Sequence, residues 1–484
     1  MHLHEYARHD ALGLAERVAR KEVSPTELAR TAMRAIEALN PKLGAVVETY
    51  ADRIESLDEA TLGNGPLRGV PFLMKDVFGH EAGRRIEFGS RLCAGMLAQQ
   101  DSAYCALVKA SGVNIIGRSA APEYSMSGAT ETLLYGNCTT PWRAGHSAGG
   151  SSGGAASAVA AGLVPIAQGT DIAGSIRIPA SCCGGVGLKP SRGRISFAPM
   201  LDENGYGLAQ NFVQTRSIRD TAAMLDCLAV PQPGDPFLIP RPAEPWAVLA
   251  QRPAPRPLRI GFSVAANAGV AVDPEVADAV RRTAQMLADS GHQVEEDTPA
   301  GYDGHAAMRT MCVLWFFGFD ARLAGYGQRS GRTPGPDNLE PVIWKILERS
   351  RSFRPAEFAA AMAHLNLVRR QLGAVFTRRD VWITPTTPRV AEPWGRYNLA
   401  RQDVGYDDYV PQILAPVAQH TLPHNIMGTP ALSLPLFMHS NGLPIGVQLA
   451  APPAQEHVLL QLGAELERAL PWDQRVPELH VSSA

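Results

Sequence analysis

The sequence predicts an α/β fold, a sheet covered by helices on both faces, and three observations point to it. Helical and strand-like patterns alternate along all 484 residues. A capping box, Ser24-Pro25-Thr26-Glu27, carries proline at the first helical position and opens a helix whose apolar face is Leu28, Ala32, Ile36 and Leu39. An apolar run, Gly69 to Met74, reads as a buried strand that delivers Lys75-Asp76 at its end. The remaining elements follow in order. Ala45–Val47 and Val113–Gly117 read as strands, with a helix at Tyr104–Ala110 between them. Nine prolines between Pro231 and Pro257 mark an extended surface connection. Beyond it the spacing predicts a strand at Arg259–Val264, a helix at Asp273–Ser290 and a mostly helical stretch from Gly304 to Phe376. Strands at Val381–Thr384, Ala431–Leu434 and Ile445–Leu449 and a helix at Gln455–Leu470 complete the chain.

Composition narrows the function classes. Net charge is −2 with no basic stripe, so nucleic acid is not an expected partner. The seven cysteines are odd in number, scattered from Cys93 to Cys312, and lack zinc-ligand spacing. They read as reduced thiols of a cytoplasmic protein, with no metal and no cofactor expected. The opening MHLHEYARHD has no apolar core of a signal peptide, and the apolar run Cys312–Phe319 is too short to span a bilayer, so no membrane partner is expected.

The most informative stretch runs from Gly149 to Pro190, with Ser151 and Ser175 among glycines. Ser151 or Ser152 can cap a small-residue helix that Gly162 ends, about 18 Å long. Leu163–Gln168 then reads as a strand returning about 20 Å. Out and back nearly cancel, which brings the two hydroxyls together as a nucleophile and a proton relay. Three rivals share the segment. A Gly/Ser linker is opposed by the ordered pattern that follows. Gly145-His146-Ser147-Ala148-Gly149 matches the nucleophile elbow of α/β-hydrolases, but Pro141 and Arg143 break the strand it needs. Gly145 and Gly150 have phosphate-loop spacing, but Ser151 and Ser152 stand where lysine and Ser/Thr are required.

GGSSGG, then G-T-D-x-x-G-S-I-R-I-P-A, then G-x-K-P-S-x-G-R, all within Gly149–Arg194, resembles the amidase signature of serine amide hydrolases. Val70-Pro71 before Lys75-Asp76, Gly428-Thr429-Pro430-Ala431 and Leu443 to Gln448 extend the resemblance over most of the chain. It implies a large, mixed, mostly parallel twisted sheet and a single domain over 1–484: a signature core at about 65–230, the Pro-rich connection at 231–257 and a C-terminal part at 258–484. It also implies a Ser–cisSer–Lys triad: Ser175 as nucleophile, Ser151 after a cis peptide as relay, and Lys75 as base. A free lysine is only about 0.04% neutral at pH 7, so a basic Lys75 needs its pKa lowered by burial. The bland alternative for Lys75 is an ion pair with Asp76.

The same resemblance places an oxyanion hole at Ile172, Ala173 and Gly174, where Ala173 replaces a usual glycine. If position 173 needs a positive φ, alanine is strained there. Asp171 and Arg177 are expected to hold the loop rather than touch substrate. The D-x-A-G-S-I-R-I-P-A-S form and Ala469-Leu470-Pro471-Trp472 are similar to the 6-aminohexanoate cyclic-dimer hydrolases of that family. That likeness puts Cys312 in the substrate pocket, with Ser125 and Met126 in a loop near the substrate. Met311–Phe317 reads as pocket lining or as core. With no arginine cluster, the expected partner is a small, neutral, fairly hydrophobic amide; an anilide, a carbamate and a lactam-like oligomer all fit, and a homodimer stands open. The glutamyl-tRNA amidotransferase A subunit shares the signature, but Ile178 stands where that subunit carries glutamine.

Overall fold

The computed structural model describes residues 1–254 and 257–483. Its centre is a sheet of eleven strands: β1 (Val46–Thr49), β2 (Pro71–Lys75), β3 (Asn114–Ser119), β4 (Ile166–Asp171), β5 (Val186–Lys189), β6 (Gln210–Thr215), β7 (Arg259–Phe262), β8 (Gln293–Glu296), β9 (Val381–Pro385), β10 (Ala431–Met438) and β11 (Pro444–Ala450). Their spatial order is β1-β3-β2-β4-β6-β5-β10-β11-β9-β7-β8. One sheet therefore runs through both halves of the chain.

The α/β architecture is as expected, but "mostly parallel" is corrected. Of the ten neighbouring pairs, four are parallel and six antiparallel. The parallel pairs lie toward the two ends, β3-β2-β4 and β9-β7-β8. The reason is insertion. Strands β4 and β5, joined through a helix, run the same way, yet β6 lies antiparallel between them. Strands β10 and β11 are linked by the short turn 439–443, which permits only antiparallel pairing.

The helices that matter for the site are α1 (Pro25–Leu43), α2 (Ala103–Ala110), α3 (Gly153–Ala160), α4 (Arg177–Cys183), α5 (Gly304–Phe316), α6 (Phe319–Ser330) and α7 (Leu422–Met427). In α1 the Ser24 hydroxyl accepts from the Glu27 N–H, and Leu28, Ala32, Ile36 and Leu39 are buried, as the sequence predicts. The expected strand at Leu163–Gln168 is displaced to Ile166–Asp171, because Gly162 and the residues after it form the turn that ends α3. That displacement carries β4 on to Thr170 and Asp171. The proline-rich connection is mainly exposed, yet Trp246 within it is fully buried beneath the Arg194 guanidinium. Residues 255–256 of the connection lie outside the described residues.

Apolar side chains form two buried clusters. One fills the space between the sheet and its helices. The other joins α5, α6 and neighbouring helices to the loops beyond the strand ends. Among the described residues no helix is long and apolar enough to cross a membrane.

Candidate active site

Strand β2 ends in Lys75, whose backbone N–H donates to Gln168 Oε1 of β4 at 2.8 Å. Its side chain is completely enclosed. Lys75 Nζ lies 2.7 Å from Ser151 Oγ, 2.9 Å from Ser152 Oγ and 2.8 Å from Thr170 Oγ1. Among the described residues it forms no ion pair; Asp76 accepts instead from the Arg118 guanidinium and from the Glu87 and Gly89 N–H groups. Burial pushes the Lys75 amine well below its ordinary pKa, against the opposing pull of Asp171 and Asp76.

Ser151 and Ser152 stand at the start of α3. The Gly150–Ser151 peptide is cis. The helix is not capped by either serine. Ser152 Oγ accepts from the Thr170 N–H and contacts Lys75, while the Thr130 hydroxyl accepts from the Gly153 N–H. The tertiary contacts have taken the Ser152 hydroxyl away from local capping. The Ser152 N–H donates to the Ser175 carbonyl at 3.2 Å, which ties the two glycine-rich loops together. Ser151 and Ser175 line one cavity.

The loop from β4 to α4 is built on Asp171. Its carboxylate accepts from the Gly174 N–H at 2.8 Å, the Ile176 N–H at 3.2 Å and the Arg177 guanidinium at 2.8 and 2.9 Å. Arg177 also donates to Thr421 O, Gln448 Oε1 and Asn425 Oδ1. Burial alone raises the Asp171 pKa, but Arg177 overrides it and holds the carboxyl at about 2. Arg177 and Asp171 thus shape the loop, as expected. Gly174 has φ +131°, and a Cβ there would meet Thr421 Oγ1 at 2.3 Å, so only glycine fits. Ala173 is not in the left-handed region, and the expected strain at that position is absent. The Gly174 N–H is committed to Asp171, which removes it as an oxyanion donor. The N–H groups of Ile172, Ala173 and Ser175 have no acceptor among the described residues.

The cavity, of about 580 Å³ including its mouth, has seven aromatic side chains in its wall beside polar ones such as Thr170, Asp171 and Asn211. Phe88 and Tyr326 stack at 4.8 Å, and Tyr124 lies parallel to Tyr326 at 6.0 Å. Phe78, Phe88, Tyr124 and Ser125 all hold φ between +49° and +62°, strain that persists where surrounding bonds fix it. Here the Tyr124 N–H donates to Phe88 O, and the Phe88 N–H to Asp76 O. Ser125 and Met126 line the cavity, and the Ser125 hydroxyl has no partner among the described residues. Cys312 does not line it. Trp315 of α5 reaches the cavity wall, while Cys312, one turn earlier in the same buried cluster, does not, and its thiol is pushed up by burial. The run Met311–Phe317 is therefore divided between lining and core. Ser147 is also outside: its hydroxyl accepts from the Gly149 N–H, and no strand leads into it.

Sequence reasoning missed four participants. Ser152 was visible only as a second cap candidate, and Thr170 stood unremarked inside G-T-D. Thr421, whose hydroxyl donates to Ala173 O at 2.5 Å, and Arg322 of α6, which lines the cavity, come from the C-terminal half with no local signal.

Sheet, signature segment and cavity define a hydrolase acting on carbon–nitrogen bonds. The chain belongs to the Amidase family, whose model matches residues 27–460. It is 35% identical over 483 residues to a 6-aminohexanoate-cyclic-dimer hydrolase of Paenarthrobacter ureafaciens, covering 97% of this chain and 96% of that one. It is 30% identical over 478 residues to an acylamidase of Rhodococcus erythropolis, covering 96% of each. The structure of a 6-aminohexanoate cyclic dimer hydrolase complexed with substrate superposes with a TM-score of 0.91 at 33% identity, over 98% of this chain and 99% of that chain.

Proposed function

We propose that this amidase hydrolyses a small amide with an apolar body through Ser175, Ser151 and Lys75 and an acyl-enzyme intermediate. The observation that carries the reading is the 2.7 Å contact of a buried Lys75 amine with Ser151 Oγ in the cavity that Ser175 lines. A neutral amine has two N–H donors and one lone pair. Ser152 Oγ lies within reach of the Thr170 carbonyl, so its hydrogen is used there and it accepts from Lys75. That leaves the lone pair free to accept from Ser151, as a base requires.

Ser175 Oγ then attacks the substrate carbonyl, and its proton passes through Ser151 Oγ to Lys75 Nζ. The N–H groups of Ile172, Ala173 and Ser175 receive the oxyanion; each such donor typically contributes about 3 kcal/mol to lowering the barrier. Collapse breaks the C–N bond, and the proton returns through Ser151 to the departing amine. Water releases the acid by the same route in reverse. Aromatic lining favours an aryl or extended alkyl substituent, including anilides and lactam-like oligomers.

Turnover of 4-nitroacetanilide tests the assignment. Ser175→Ala and Lys75→Ala are expected to lose at least about 1000-fold in kcat/KM, and Ser147→Ala to stay near the parent. A fluorophosphonate should label Ser175 alone. Near-normal turnover by Ser175→Ala would overturn the reading.

A further inference from the structure

Helix α6 presents Phe319, Arg322 and Tyr326, spaced three and four residues apart, to the cavity along one face. Two of these are aromatic and join Phe78, Phe88, Tyr124, Phe197 and Trp315 in the wall. Arg322 is not. Its Nη2 donates to Trp315 O at 2.7 Å, and its Cζ lies 5.2 Å from the centre of the Phe319 ring. Among the described residues no carboxylate lies within ion-pair distance of it. A guanidinium has five donors in a fork that fits a carboxylate edge-on. One is used here, and Nε, Nη1 and the second Nη2 hydrogen have no acceptor among the described residues.

The other charges of the lining cancel. Asp171 is neutralised by Arg177. Lys75 is kept toward its neutral form by burial. Ser125 Oγ and Asn211 Oδ1, both buried and without partners among the described residues, are uncharged. Arg322 is therefore a guanidinium at the cavity wall with no carboxylate partner among the described residues. A half-buried cation without a counter-ion is costly unless something supplies one.

We propose that Arg322 is a specificity-determining residue that pairs with a carboxylate at the far end of the substrate, so that the preferred substrates are monoanionic amides. The body of the substrate lies against the aromatic side chains, the scissile carbonyl at Ser175, and the carboxylate at Arg322. This rests on the hydrolytic reading above and replaces the neutral substrate expected from sequence, which saw no arginine cluster. A lone arginine brought in from the C-terminal half suffices.

Matched anilides test it. On the acyl arm, the 4-nitroanilide of pentanoic acid is compared with the mono-4-nitroanilides of succinic, glutaric and adipic acids. On the amine arm, acetanilide is compared with 4-acetamidobenzoate. The enzyme is expected to favour a carboxylated member on one arm by about 10-fold or more in kcat/KM, chiefly through KM. Arg322→Gln retains a donor for Trp315 O but removes the charge, and is expected to bring that ratio to about one. Arg322→Lys should give an intermediate ratio, since it keeps the charge and loses the fork. A purely structural role for Arg322 would change rates on both members alike and leave the ratio intact. An unchanged ratio in Arg322→Gln, or a parent preference for the neutral member on both arms, overturns the proposal. Should the parent turn over none of these anilides, the hydrolytic reading fails separately. Calorimetric binding of the glutaric and pentanoic anilides to Ser175→Ala then decides the carboxylate subsite, with equal affinities counting against it.

Discussion

Lys75 is a charged residue type held almost wholly out of water. Three hydroxyls surround its amine, and among the described residues no carboxylate touches it. Burial disfavours its ammonium form, so its pKa falls and the neutral base is more abundant near pH 7 than in a free lysine. The sign follows directly. Protonated Lys75 cannot accept the relayed proton, so kcat/KM should rise with pH through one ionisation lying well below 10.5 and level off above it. A pH–rate profile on a substrate without ionising groups reads this. An acid limb that still rises near 10.5 would mean that Lys75 is not the base.

At the scale of elements, the loop between β4 and α4 places three requirements on four residues. Asp171 collects the loop's N–H groups, Gly174 turns at φ +131°, and Thr421, just before α7, holds Ala173 O. Gly174→Ala puts a methyl 2.3 Å from Thr421 Oγ1 in a backbone region that alanine disfavours. It is expected to cost about 1–3 kcal/mol in stability and to lower kcat/KM by about 100-fold, measured by urea unfolding and anilide turnover. Ala173→Gly alters no left-handed position and should cost less in both measurements. If the two variants behave alike, the strain is not where the backbone places it.

Across the whole molecule, Arg177 ties β4 and α4 to β11 and α7 through Asp171, Gln448, Thr421 O and Asn425. These partners lie up to 271 residues apart in sequence, so the network joins both halves of the chain behind Ser175. Arg177→Met would leave a buried carboxylate unpaired, a change that typically costs about 3–5 kcal/mol. Asp171 titrates at about 2 when folded and near 3.9 when unfolded. Its folded pKa is depressed, so its contribution is complete above pH ~4 and fades as pH falls toward 2. Urea midpoints from pH 6 down to 2.5 should fall steeply in the parent and less steeply in Asp171→Asn.

Local patterns were legible where the chain answers to itself. The capping box of α1, the apolar run ending at Lys75 and the glycine-flanked serines are each complete within a few residues, and each was readable there. The expectation for the Ser151/Ser152 cap failed because Ser152 has a better partner in Thr170, which arrives from another strand. The parallel sheet failed because alternation fixes the direction of strands joined through a helix but not what is inserted between them. Cys312 failed because residues one turn apart on the same helix face reach different depths, and only packing decides that the Trp315 ring extends to the cavity while the short Cys312 side chain stays in the core.

The sequence by itself determined the class of chemistry: a lysine at a strand end, two serines on glycine turns, and the helices and strands to carry them. The tertiary structure alone decided three things. It joined Lys75 to Ser151, spent the Gly174 N–H on Asp171, and set Arg322 of α6 in the aromatic wall. Hydrogen bonds and burial across long sequence separations make those choices, and no residue records them in its neighbours along the chain.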